Sequence, residues 1–553
     1  MSTIFSISAQ ISASIFNVSV EISSIIIEMV ALQLILIVMD DFLSKWAVDE
    51  AIGGAWLALR YGVDPVQPLR MVSRIASGRS RTRRGNRWEM NYEERYRPAP
   101  TFRGHLEFML RHERVNLEFL ARLFAVAGFE ELSDWSRDEP TGRYSRRAGF
   151  FYEWLTGRAL EFGGVTNGGY VDALDPKLYF TATKGTNVPR WRVRDNLPGD
   201  QSFCPVVLLT DAVDEALSFD ISGAWKRLES EFGVELLERS AVWLTVKESR
   251  ASFAIEGEAR QTDRIQRFAT VLQTEVGRHD DVFSVESLLH LQQAILGDVT
   301  TRQGIRRSPI FVGESRGGLE IVHYVAPHWD LARQMLRGLA RLERSTRGRS
   351  ALLRAAALSF GFVYVHPLTD GNGRISRFLI NDVLRRDAAL PEPFVLPVSA
   401  VISRGMRGYD RTLEIFSKPL MRHYAKGYRF GESVRYEDGF TSTFHFDAYD
   451  DAEPAWRYPD LTDHVEYLGE VVRTTVDVEM REEARQMRAY RSARLAVNDI
   501  IEGPTEDLDR IVRSVRENDW AISNKLLKEF PRLGDEDVAT RIVEAVRLVF
   551  DRN

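Results

Sequence analysis

A single cysteine, Cys204, stands in 553 residues, so no internal disulfide can form and the chain reads as made for a reducing cytosol. Cysteines and histidines nowhere fall at zinc-ligand spacing. The GxxxxGK string that cradles phosphates in P-loop enzymes is also missing. A strong excess of one charge is lacking too: a net charge of -6 and a pI near 6.0 give no bulk electrostatic reason to bind nucleic acid or a membrane. The first 38 residues contain no Lys or Arg, which removes the basic start of a signal peptide. Their apolar run SIIIEMVALQLILIV is broken by Glu28 and Gln33, and it lacks the cationic flanks of a spanning helix. The segment reads as an upstream extension, with translation starting at Met39; a weak membrane or partner-binding helix is the alternative.

What is present is an ordinary soluble composition, 44% hydrophobic and 27% charged, long enough for two to four domains. Its most informative string is HPLTDGNGRISR at 366–377. A helix opening at a Gly-Asn-Gly turn offers unpaired backbone N–H groups and a positive dipole end to a phosphate. Gly371 and Gly373 leave the backbone bare for close approach, and Arg374 and Arg377, three apart, share a helical face. Asp370 is the one carboxylate of the loop, enough for a magnesium ion that takes its other ligands from phosphate. His366 titrates near neutrality and suits the removal of a proton from an attacking hydroxyl.

This string resembles the signature of Fic-domain proteins. The resemblance implies transfer of AMP from ATP to a protein hydroxyl, with His366 as general base, Asp370 holding Mg2+, and Gly371, Asn372, Gly373, Arg374 and Arg377 binding the phosphates of ATP. Leu368 stands where the family more often has Phe, and the second glycine, Gly373, favours AMP transfer over phosphorylation. Upstream, Ser252, Glu256 and Gly257 in SFAIEG resemble the family's inhibitory motif, in which the glutamate reaches the second signature arginine, here Arg377, and displaces the γ-phosphate. Four-residue spacing places Ser252 and Glu256 on one helical face.

SPIFVG (308–313) and LEIVHYVAP (319–327), separated by ESRGG, carry hairpin grammar. Residues 308–327 are thus expected to form the flap on which Fic proteins dock a protein target by strand addition. Helices are expected from Trp329 to Leu342 and over 351–365, with Ile375, Phe378, Leu379 and Val383 continuing at helical spacing after the loop. RIASGRSRTRRGNR (74–87), six arginines with no acid, reads as a mobile loop. The tail is acidic near 446–460 and helical from His464 to about Asp499. Short amphipathic stretches follow, broken at Asn518-Asp519 and at Pro531.

The expected fold is all-α (mainly α): a Fic-like helical core with a small β-hairpin flap and helical N- and C-terminal regions. The expected divisions are 1–38, 39–210, 211–289 with the inhibitory motif, 290–435 as the catalytic core, and 436–553. ATP, a protein substrate, self-modification and a homo-oligomer are the expected partners, in the cytoplasm, with nucleic acid and membrane disfavoured. The alternative from another class is a nucleic-acid-binding regulator using the C-terminal helices or the Arg-rich stretch. Within the enzyme class, a different transferred group or removal of AMP stays open.

Overall fold

The computed structural model describes Trp46 and residues 48–297, 302–317 and 319–552, so the expectations placed on 1–38 and on Met39 lie outside the described residues. Helices dominate, as expected, and among the described residues their amphipathic stripes close three large cores, with a small fourth cluster at Ile52, Tyr92 and Phe108. The largest core gathers apolar side chains from Ile221–Phe232, Val234–Ile255, Thr262–Thr274, Val285–Leu296, Trp329–Ser345, Ala351–Val365, Asn372–Arg386, Met406–His423 and Thr462–Thr474. Ala351–Val365 is its axis, apolar nearly all round and buried on every side except for a few positions, as its composition requires. A second core joins the N-terminal helices Phe102–His112, Leu117–Val126 and Arg143–Thr156. Arg70 fastens it to the first through Asp460 at 2.6 Å and Asp463 at 2.5 Å. The third core holds Arg481–Asn498, Thr505–Glu517, Asn524–Glu529 and Glu536–Arg552 together. Its breaks fall near Asn518 and Pro531, where the sequence places them.

The flap forms as an antiparallel hairpin, Phe311–Arg316 with Leu319–Val325, in register Phe311↔Val325. Three further sheets are present among the described residues that helical periodicity did not reveal. Ala51–Ile52, Met71–Ile75, Arg87–Tyr92 and Ser80–Arg84 line up in that order in a four-stranded sheet. The Arg-rich stretch 74–87 is therefore not a mobile loop: Ser80–Arg84 pairs with Arg87–Tyr92 across a two-residue Gly85-Asn86 turn. Arg81 stacks 3.6 Å from the centre of the Trp88 ring, so the cations rest on an aromatic face. A small three-stranded sheet lies at Val171–Asp172, Thr186–Val188 and Val193–Asp195. A second hairpin, Tyr428–Arg435 with Thr441–Phe446, packs against the flap through Phe311, whose ring centre is 4.7 Å from that of Phe444. No helix among the described residues is long and apolar enough to cross a membrane.

Candidate active site

The Ala351–Val365 helix starts at Ser350, whose hydroxyl accepts the Leu353 N–H, and stops at His366. Pro367 forbids its continuation, and His366 takes a left-handed backbone with φ of 46°. A non-glycine residue held there is strained, so its surroundings must fix it. Arg306 does so. It is fully buried, and its guanidinium donates to the carbonyls of His366 at 2.7 Å, Ser308 at 3.2 Å and Pro327 at 2.5 Å. Its own N–H donates to the Pro367 carbonyl at 3.0 Å. The His366 Nδ1 lies 3.2 Å from the Val363 carbonyl, which can only accept, so Nδ1 carries the proton and Nε2 keeps a lone pair. Burial, and after it the neighbouring Arg306 cation, pushes the imidazole pKa down to about 4. At neutral pH His366 is therefore uncharged, with Nε2 ready to accept a proton.

The loop that follows is closed by Asn372. Its Oδ1 accepts the Leu368 N–H and its Nδ2 donates to the Leu368 carbonyl, both at 2.9 Å, so this side chain clamps the turn and faces inward. Gln292 pins the other side, donating to the Asp370 carbonyl at 2.8 Å and accepting the Gly304 N–H at 2.7 Å. Gly371, with φ of 88°, turns the chain into the Asn372–Arg386 helix, whose first N–H groups point to the loop mouth. Asp370 stays 43% exposed at that mouth, and its Oδ1 meets Arg374 at 2.8 Å.

Facing this turn is the end of the Val234–Ile255 helix. Ser252 Oγ accepts from Arg377 Nε at 2.8 Å, and Glu256 Oε1 accepts from Arg377 Nη2 at 2.7 Å. Gly257, with φ of 75°, reverses the chain, and Glu258 then reaches Arg374 Nη1 at 2.6 Å. Burial opposes ionisation of Glu256, but the Arg377 guanidinium beside it outweighs burial and holds its carboxyl below the usual range. A Cβ on Gly373 would lie 2.2 Å from Glu256 Oε1. The carboxylate thus rests directly on the bare backbone at the helix start, the place an anion seeks. One turn before Ser252 on the same face, buried Glu248 accepts the N–H and O–H of Ser399, and burial pushes its pKa up to about 7.

The structure therefore brings His366, Asp370, Gly371, Gly373, Arg374, Arg377, Ser252 and Glu256 into one place. Arg306, Gln292 and Glu258 belong to the same place without having been singled out from the sequence. Among the described residues no group of three or more His, Cys, Asp or Glu side chains could hold a metal by itself. Asp370, half-exposed beside a phosphate-seeking turn, fits a hard cation that takes its remaining ligands from a nucleotide.

A family model described as the Fic/DOC family matches residues 282–384. Protein adenylyltransferase fic-1 of Caenorhabditis briggsae is 32% identical over 151 residues, 26% of this chain and 27% of its own length. Protein adenylyltransferase fic-1 of Caenorhabditis elegans is 30% identical over 156 residues, 27% of each chain, and protein adenylyltransferase Fic of Drosophila mojavensis is 30% identical over 120 residues, 21% of each. The chain thus spans about a quarter of the length of the curated relatives it matches. A solved Fic family protein from Desulfovibrio desulfuricans G20 aligns with 90% of its chain and 57% of this one, at 18% identity and a TM-score of 0.35. The turn between two core helices, the strained histidine before it and the arginines after it all lie inside the matched segment, and residues 282–384 of this chain are a Fic domain.

Proposed function

We propose that this protein transfers AMP from ATP to a hydroxyl side chain (Ser, Thr or Tyr) of a target protein, and that Glu256 holds the reaction in check. The observation that carries the reading is a neutral His366 with a free Nε2 at the mouth of a bare helix start, flanked by two buried guanidinium groups. In the proposed step the target oxygen bonds to the α-phosphorus, the bond from that phosphorus to the β-phosphate bridge breaks, pyrophosphate leaves, and the hydroxyl proton passes to His366 Nε2. Arg374 and Arg377 offer forked donors to the outer phosphates, and the N–H groups of Asn372 and Gly373 offer theirs to the inner ones, that of Gly371 being taken by Asp370 Oδ1 at 2.6 Å. Mg2+ held at Asp370 would supply charge neutralisation on the phosphates.

The flap suits an extended target segment, because Val312 and Ile321 on its two strands stand exposed. Self-modification and action on a separate protein use the same step. Glu256 supports self-inhibition by taking one donor of Arg377 and resting where phosphate would approach.

The test is incubation of the Glu256→Gly variant with ATP labelled at the α- or, separately, the γ-phosphate, followed by mass analysis of modified protein. Label from the α position alone, with a mass gain of one AMP, is the expected result. Label from the γ position would make it a kinase and overturn the reading.

A further inference from the structure

The Val234–Ile255 helix has a second working face. Trp243 and Ser252 are nine residues apart, two and a half turns, so they look in opposite directions from points about 14 Å apart along the axis. Behind the helix, between it and the helices Arg481–Asn498 and Thr505–Glu517, is a groove of about 530 Å³. Cavities of roughly 300–1,000 Å³ are the usual size for small-molecule ligands.

The lining is basic. Arg239, Arg491, Arg494, Arg513 and Arg516 face it against three acids, Glu483, Asp509 and Glu517. Arg491, Arg494 and Arg513 are only loosely engaged. Arg239 and Arg491 share the exposed Glu235 at 2.9 and 3.7 Å, Arg494 reaches Asp509 at no less than 3.5 Å, and Arg513 is exposed without an ion pair among the described residues. Arg516 donates to the Tyr490 hydroxyl at 2.8 Å and orients that ring along the wall. Trp243 leaves 56% of its surface in water, an exposed flat aromatic on the same groove as these guanidinium forks. Guanidinium forks match phosphate oxygens, and an exposed indole is a stacking platform for a base.

We propose that this groove binds a nucleotide-type ligand, its base on Trp243 and its phosphate chain on Arg491, Arg494 and Arg513, and that occupancy alters how the helix presents Glu256 to Arg377. The second half rests on the reading of Glu256 given above. The link is short and continuous: Lys247, one turn beyond Trp243, ties the helix to Glu479 at 3.1 Å and Glu483 at 3.5 Å, the second of these a groove residue. The Glu256–Gly257 turn is the end of the same helix.

The experiment titrates the full chain with GTP by calorimetry, while a non-hydrolysable ATP analogue fills the Fic site, and follows amide exchange at residues 252–258. Arg491→Glu with Arg513→Glu removes two exposed cations and no core contact, and Trp243→Ala removes the platform. GTP is expected to bind the wild type at least ten-fold more tightly than either variant, and to change exchange at 252–258 at least three-fold in the wild type only. Equal binding by wild type and the double variant overturns the site. Inorganic triphosphate binding as tightly as GTP overturns the nucleotide assignment, and GTP binding without altered exchange overturns the coupling. None of these readouts uses AMP transfer, so failure of the proposed activity shows separately, in the labelling experiment.

Discussion

Residues 366–377 and residues 252–258 face each other across the same two guanidinium groups, yet they are held in different ways. The first set is pinned by two side chains that reach in from elsewhere, Arg306 under His366 and Gln292 against Asp370, and by its own Asn372 across the turn at Leu368. Glu256 instead caps a helix end, stays 33% exposed, and is held to the opposite side by Arg377 above a glycine turn. A carboxylate at a helix C-terminus is disfavoured by the dipole, so its placement depends on that arginine. The 366–377 turn is held from several sides; the opposing carboxylate is held through Arg377.

The largest expected effect falls on the 366–377 turn. His366→Ala should lower AMP transfer by about a thousand-fold, within the range for loss of a general base, while nucleotide affinity measured by calorimetry changes little. Transfer undiminished by that substitution would sink the assigned role. A smaller effect belongs to the segment that carries Glu256. Gly257→Ala meets no neighbour, since nothing lies within 4 Å of a Cβ there, but it must hold a left-handed backbone at a cost of about 1–2 kcal/mol. If the turn presents Glu256, the basal rate should rise roughly five-fold or more. An unchanged or lower rate would show that the turn is not what positions the carboxylate.

The smallest effect is a shift in pH dependence, measured in the Glu256→Gly background. The imidazole pKa is lowered to about 4 with Glu256 in place, and loss of that carboxylate, which raises it, moves it further down, so kcat/KM should stay level from pH 7 to about 5 and fall only at or below about pH 4. Arg306→Met removes the nearby cation and should move this acid limb upward, toward the ordinary histidine value. Arg306→Lys keeps a charge and should leave the limb lower than Arg306→Met does. Identical limbs in the two variants would reduce Arg306 to a packing residue.

The same contrast governs what could be read in the sequence. The turn at 366–377 is local: its glycines, acid and arginines are adjacent in the chain, and the helices on either side have clear periodicity, so both were legible. The Ser252–Glu256 spacing was legible for the same reason. Arg306 and Gln292 were not, because each acts on a loop more than 55 residues away, and nothing near them in the sequence marks the contact. Glu258 lies only two residues past Glu256, but it reaches Arg374 only because Gly257 reverses the chain. Two sheet signals were present and went unread. Gly85-Asn86 between arginine-rich runs is a hairpin turn, and Asp438-Gly439 lies between alternating aromatics at Tyr428 and Phe430 and at Phe444 and Phe446. The first strand pair is masked by a run of exposed arginines without apolar alternation, the second by the charged residues around its turn.

The most direct measurement compares α-label incorporation by the wild type, Glu256→Gly, and Glu256→Gly with Arg377→Ala, at one ATP concentration. A charge-assisted bond such as that between Arg377 and Glu256 is worth about 1.5–3 kcal/mol, equivalent to roughly 10- to 150-fold in rate if it is what restrains the site. A rise of at least ten-fold is expected in Glu256→Gly, with loss of that gain in the double variant, where the freed partner is gone. Glu256→Gly no more active than wild type, while His366 remains essential, would contradict it.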